Sequence, residues 1–351
     1  MATLTRATST LPGPTGYQYY GDGEYEHFLY WKSPIATSLA AAVVYIKPGH
    51  TFNPGFRVMD PSTSSTPWVG TTVDTLFSTY GFNVFSIEIN PPFSNDSPKR
   101  EPACARPWPG QLLSAAKFIQ YLRENAALFG IDPSKIVVCG SSSGHTLAML
   151  LAFIQDGRLP TDGPVGLHQR YYPASASHRP NAVIGAIGQL DWTQFVYDPT
   201  ALTGVFAYDI HQYFMPKLAG SMTNSALGMH IKRSASPWWW LQLGAGRNVC
   251  PQYGAWGTRT NAGNAKNLTP ALWAPGTPRN NFAGQAAYFD PHSYFGAKAF
   301  EAELLKYGIT NQIIWGDSSD NGAGSNNVDF PTDTAKANRA IAWLRNTVGI
   351  T

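Results

Sequence analysis

Residues Trp108 to Ala152 read WPGQLLSAAKFIQYLRENAALFGIDPSKIVVCGSSSGHTLAMLLA, and their pattern decides the fold class. Leu112, Ala115, Ala116, Ile119, Leu122 and Ala126 recur at the spacing of one helix face, which predicts a helix over Gln111 to Phe129. Gly130 then supplies the residue that most easily closes a helix at its C-terminus. Ile136 to Cys139 (IVVC) is a short buried strand, and His145 to Ile154 is a helix apolar almost all the way round. A helix without a polar face has to be buried, here against the middle of a sheet.

Working outward, strand and helix patterns alternate, which predicts an α/β fold with a mostly parallel central sheet, helices on both faces and no internal repeat. Strands are expected at Glu26 to Lys32, Ala41 to Ile46, Phe82 to Ile89, Ala182 to Ile187, Trp238 to Leu243 (WWWLQL) and Gln312 to Trp315. Helices are expected at Ala297 to Tyr307 and at Thr334 to Asn346, the latter with Ala337, Ala340, Ile341 and Leu344 on one face. We read residues 1–351 as a single domain, with 192–236 and 244–288 as inserted lid or pocket segments rich in Gly, Asn, Trp and Tyr.

The composition narrows the function classes. The chain has 351 residues, 43% of them apolar, which is enough to bury a large core. Its formal charge of +3 is spread thinly, with no basic run beyond pairs such as Lys99-Arg100, so nucleic acid is not an expected partner. No apolar run approaches the roughly 18 residues of a membrane span, and no signal peptide is visible, which makes a soluble, cytoplasmic location the default expectation. The three cysteines, Cys104, Cys139 and Cys250, match no metal motif; Cys139 reads as a small core residue, and a Cys104 to Cys250 bridge stays open.

Chemistry enters at Gly140-Ser141-Ser142-Ser143-Gly144, a Gly-x-Ser-x-Gly motif set between a short strand and a buried helix. That context is a strand-to-helix turn sharp enough to need a glycine two residues to either side, which lifts the central serine above the sheet edge. Ser142 is therefore the candidate nucleophile. The Ser143 N–H, at the helix start, can face a developing oxyanion.

Together with AAVVYIKPG, SASPWWWL and DPHSYFGAKAFEAELLKYG, the opening stretch resembles the carboxylesterases of the α/β-hydrolase superfamily, particularly the hormone-sensitive-lipase-like esterases. The resemblance covers about residues 20–190 and 236–348. It implies an oxyanion loop after the Ala41 to Ile46 strand, where the family has His-Gly-Gly-Gly and this chain has Lys47-Pro48-Gly49-His50. Pro48 has no N–H to donate, so Gly49 and His50 are the candidate donors beside Ser143. It also implies an acid after the penultimate strand; Asp290 takes that place and equally fits the N-cap of the next helix, and Asp191 is a second candidate.

The family's histidine belongs in the loop after Trp315, yet Gly316 to Phe330 contains none; the eight histidines lie at 27, 50, 145, 168, 178, 211, 230 and 292. A serine needs a base to act as a nucleophile at neutral pH. His292 can serve from the loop before the last strand, with Asp317 or Asp320 orienting it from the loop after. His50 is the alternative, and His145 reads as a packed or capping residue. The alternating oxygens of Asp317, Ser319 and Asn321 partly resemble a calcium loop, but Val328 stands at the twelfth position, and an Asx-rich surface loop is the preferred reading, with no metal.

The expected activity is that of a serine carboxylic-ester hydrolase acting through an acyl-enzyme on a small or aromatic ester, without an organic cofactor. A non-catalytic binding protein using the same cleft is the alternative, and thioesterase or peptidase chemistry a third option on the same machinery.

Overall fold

Ala40–Ile46 (β3) is buried along its whole length, as an unbroken apolar strand must be when a parallel sheet is covered on both faces. The structure is a computed structural model and describes residues 14–19, 27–36, 38–46, 80–87, 109–141, 143–159, 176–186, 188–191, 230, 232–244, 249–257, 294–316 and 334–351. Around β3 it assembles Pro14–Tyr19 (β1), His27–Trp31 (β2), Asn83–Ile87 (β4), Ile131–Ser141 (β5), Ala182–Ala186 (β6), Gln252–Gly257 (β7) and Asn311–Gly316 (β8). They form one sheet in the order β1-β2-β4-β3-β5-β6-β7-β8, antiparallel at β1-β2 and β2-β4 and parallel from β4 onward.

The described residues include the helices Gly110–Glu124 (α1), Ala126–Phe129 (α2), Ser143–Phe153 (α3), Pro237–Gly244 (α4), Tyr294–Lys306 (α5) and Thr334–Trp343 (α6), the last running on as a π-helical turn over Leu344–Val348. The expected long helix breaks for one residue at Asn125 and resumes as α2, which Gly130 closes in the left-handed conformation at φ 62°. Every residue of α3 is buried, as its lack of a polar face requires. Phe28 and Phe85 from the sheet, Phe118 and Tyr121 from α1, and Phe129 from α2 form one aromatic cluster. Tyr30 stacks on Phe85 at 4.7 Å and donates its hydroxyl proton to the Phe129 carbonyl at 2.6 Å.

Two expected assignments change. The WWWLQL run is not a strand but α4. Pro237 stands at its first position, where the missing N–H costs nothing, and the Trp238 N–H donates to the Leu190 carbonyl. The penultimate strand is instead β7, QYGAWG, which falls inside the stretch 244–288; that stretch therefore contributes to the sheet rather than being wholly inserted. Residues 192–229 lie outside the described residues. β1 adds a strand ahead of the first expected one, Glu26 to Lys32.

Cys139 and Cys250 are free thiols, and burial pushes both up to about 12. Cys104 lies outside the described residues. No helix among the described residues is long and apolar enough to cross a membrane.

The C-terminal end of α3 is tied to the run into β6. His178 is buried, with Nδ1 2.9 Å from Asp156 Oδ1 and Nε2 3.1 Å from the Ile154 carbonyl, and its N–H donates to the same carboxylate at 3.1 Å. Burial alone would raise the Asp156 carboxyl, but hydrogen bonds from His178 and Ser177 and the charge of His178 outweigh it and hold the group well below the usual carboxylate range. A carboxyl depressed in this way stabilises the fold above its unfolded pKa of about 3.9 and gives that stability up as pH falls toward the folded value. Asp156→Asn should therefore lower stability modestly at neutral pH, the carboxylate being half-exposed, and flatten the loss of stability below about pH 4. Urea unfolding of both proteins across that range checks it, and parallel stability curves would show that the pair contributes nothing.

Candidate active site

β5 ends at Ser141 and α3 begins at Ser143, so a single residue, Ser142, separates strand from helix in the sequence. Gly140 shows how tight that reversal is. A Cβ built on it would stand 2.5 Å from the Gly144 carbonyl carbon and 2.8 Å from the His145 nitrogen, both backbone atoms that no rotamer change can move away. Gly140 pairs with Gly185 on β6, and Gly185 in turn with Gly254 on β7, so three neighbouring strands carry glycine at one level of the sheet. A Cβ on Gly185 would meet the His145 ring at 2.2 Å. The imidazole occupies the space that the absent side chain leaves.

Beyond β6 the loop 188–191 folds back onto α3. The Gly188 N–H donates to His145 Nδ1 at 3.2 Å, and the Gln189 N–H donates to Thr146 Oγ1 at 2.8 Å. The Thr146 hydroxyl donates to Gln189 Oε1 at 2.6 Å. His145 thus sits as a packed residue, 1% exposed. Sequence reasoning missed Thr146, Gln189, Gly185 and Gly188; the one available signal was a glycine inside the expected strand, Gly185, followed by another just beyond it, Gly188.

Among the residues singled out from the sequence, Ser143 is the first residue of α3 and is buried. Asp191 lies buried in the loop beyond β6, with Oδ1 3.4 Å from Ser236 Oγ just before α4; the Ser236 hydroxyl itself donates to the Lys232 carbonyl at 2.6 Å. Ser142, Gly49, His50, Asp290, His292, Asp317 and Asp320 lie outside the described residues, but the ends of the strands bracket them. β3 pairs Ile46 with Gly140, so Gly49 and His50 follow a strand that ends beside the turn. Asp290 and His292 fall between β7 and α5, and Asp317 directly follows β8. The parallel pairing from β3 through β8 puts all these strand ends on one edge of the sheet. No group of three or more His, Cys, Asp or Glu that could hold a metal occurs among the described residues; the calcium-like loop lies outside them.

The strand order, the parallel core and the strand–turn–helix at Ser142 define an α/β-hydrolase fold. Residues 97–223 match the BD-FAE family, a stretch that includes α1, β5, the turn, α3 and β6. Solved structures share the fold over nearly the whole chain. One titled a truncated form of carbohydrate esterase from gut microbiota has a TM-score of 0.62 at 15% identity, covering 98% of this chain and 99% of that one. The propionate-bound thermophilic esterase Est2 of the Planctomycetes species Thermogutta terrifontis has a TM-score of 0.56 at 15% identity, covering 95% and 94%. Esterase 2 of the same organism phosphorylated by paraoxon has a TM-score of 0.56 at 14% identity, with the same coverage. No curated protein matches the chain.

The contact between Gly185 and the His145 ring can be tested by coupling. Gly185→Ala should destabilise the fold by about 1–3 kcal/mol, the usual cost of forcing volume into a packed core. Most of that cost should vanish when His145→Ala removes the ring first. Thermal unfolding of the parent, the two single variants and the double variant measures the coupling, and strictly additive losses would show that the ring and the glycine do not share this space.

Proposed function

We propose that the chain is a serine carboxylic-ester hydrolase acting through an acyl-enzyme at Ser142. The observation that supports this reading is the close approach of the α3 backbone to Gly140, the strand-to-helix reversal that a Gly-x-Ser-x-Gly nucleophile motif requires. The family match across the same turn, and solved neighbours titled as esterases, support the class.

In this mechanism an imidazole takes the Ser142 Oγ proton as Oγ attacks the ester carbonyl. The tetrahedral oxyanion is held by the Ser143 N–H and by N–H groups of Gly49 and His50, helped by the positive end of α3. Collapse expels the alcohol, which takes its proton from the imidazolium, and water then attacks the acyl-enzyme by the same route. His292 is the base, with Asp290 as the acid and Asp317 or Asp320, which would orient His292 from the loop after β8, as the alternatives. Asp191 ranks behind them because it lies buried in the loop after β6, packed against the residue before α4. A small ester is the substrate class, and no organic cofactor takes part.

One sequence feature favours a second reading, a non-catalytic binding protein with the same cleft: residues 316–330 contain no histidine. Intact mass after exposure to a fluorophosphonate separates the two. The esterase reading expects one covalent adduct on the parent and none on Ser142→Ala, together with loss of short-chain ester turnover. His292→Ala should cut turnover by about a hundredfold or more, as removal of a general base does. If it leaves turnover within a few-fold of the parent while Ser142→Ala abolishes it, the base lies elsewhere and His50→Ala is the next variant. Absence of both adduct and turnover in the parent leaves the binding reading.

A further inference from the structure

The first turn of α3 carries the Ser143 N–H and fixes where Ser142 leaves the strand, so whatever holds that turn also sets the reacting geometry. An isolated helix start is poorly held, because its first four N–H groups have no partner within the helix. Here two consecutive side chains of the turn, His145 and Thr146, are hydrogen-bonded to two consecutive residues of the loop after β6. His145 Nδ1 accepts from the Gly188 N–H at 3.2 Å; Thr146 Oγ1 accepts from the Gln189 N–H at 2.8 Å and donates to Gln189 Oε1 at 2.6 Å. His145, Thr146 and Gln189 are buried, so these bonds are not exchanged freely with water. The loop is anchored in its turn. The Leu190 carbonyl accepts from the Trp238 N–H at 3.0 Å, which ties the loop to the start of α4.

We propose that Thr146, with His145 beside it, is a positioning residue for ester hydrolysis: its hydrogen bonds to Gln189 hold the first turn of α3, and through it Ser142 and the Ser143 N–H, in the reacting geometry. This rests on the esterase reading. Neither side chain touches substrate; the clamp acts through the backbone of the turn. The Thr146 hydroxyl, rather than its methyl group, is the operative part, because it bonds to Gln189 as both donor and acceptor.

Thr146→Val and Thr146→Ser separate the hydroxyl from packing. Thr146→Val keeps the shape and loses both bonds to Gln189. Its kcat should fall about ten- to a hundredfold, the scale on which a small misplacement of reacting groups is felt, with KM within about threefold of the parent. The rate of fluorophosphonate labelling should fall in step. Thr146→Ser keeps the hydroxyl and should retain kcat within about threefold. All rates are read well below each variant's unfolding midpoint. A Thr146→Val kcat within about twofold of the parent overturns the clamp, and so does a Thr146→Ser variant as impaired as Thr146→Val. Should Thr146→Val fail to fold, Thr146→Ala removes the hydroxyl and with it its contacts to the Gln189 N–H, carbonyl and side chain; a lowered kcat at unchanged KM supports the clamp and an unchanged kcat overturns it. A parent with neither turnover nor adduct overturns the esterase reading and the positioning role together, which is distinct from an active parent that tolerates the loss of the hydroxyl.

Discussion

The first turn of α3 lies on the ends of β5 and β6 at a distance that only unsubstituted backbone permits. At Gly140 the obstacle to any side chain is the carbonyl of Gly144, and at Gly185 it is the ring of His145. At Gly140 the obstacle is backbone, which cannot retreat as a flexible side chain can, so the start of α3 fits there only over a glycine. Because α3 starts so close to the sheet, its full length is buried, and its sequence from Leu147 to Phe153 is accordingly apolar.

Parallel pairing then gathers what the chain disperses. From β3 to β8 each strand runs in the same direction, so the segments that follow Ile46, Ser141, Ala186, Gly257 and Gly316 all leave from one edge. Residues as far apart as Gly49 and Asp317 thereby follow strands of one sheet edge, although nothing in their spacing relates them. This geometry also makes an exchange of roles between neighbouring loops chemically reasonable. A base and its orienting carboxylate must meet near the nucleophile, but either of two adjacent loops can deliver either group. The loop after β6 is different in kind, since its polar groups bond to α3 and to the start of α4.

What the sequence by itself determined is local. The period of α1, the closing glycine at 130, the apolar runs of β3 and β5, and Gly-x-Ser-x-Gly between a strand and an apolar helix all follow from neighbours within a few residues. Tertiary structure decided the rest. WWWLQL has the aromatic content of a strand, yet it is helical because Pro237 suits a helix start and the Trp238 N–H meets the Leu190 carbonyl across the fold. QYGAWG has two glycines and a weak strand signal, yet it is β7 because β6 and β8 supply hydrogen-bonding partners on both sides. The clamp on the α3 turn joins Thr146 to Gln189, 43 residues away. Hydrogen bonds between distant residues leave no periodic trace in a sequence, because what makes them is the meeting of two backbones in space.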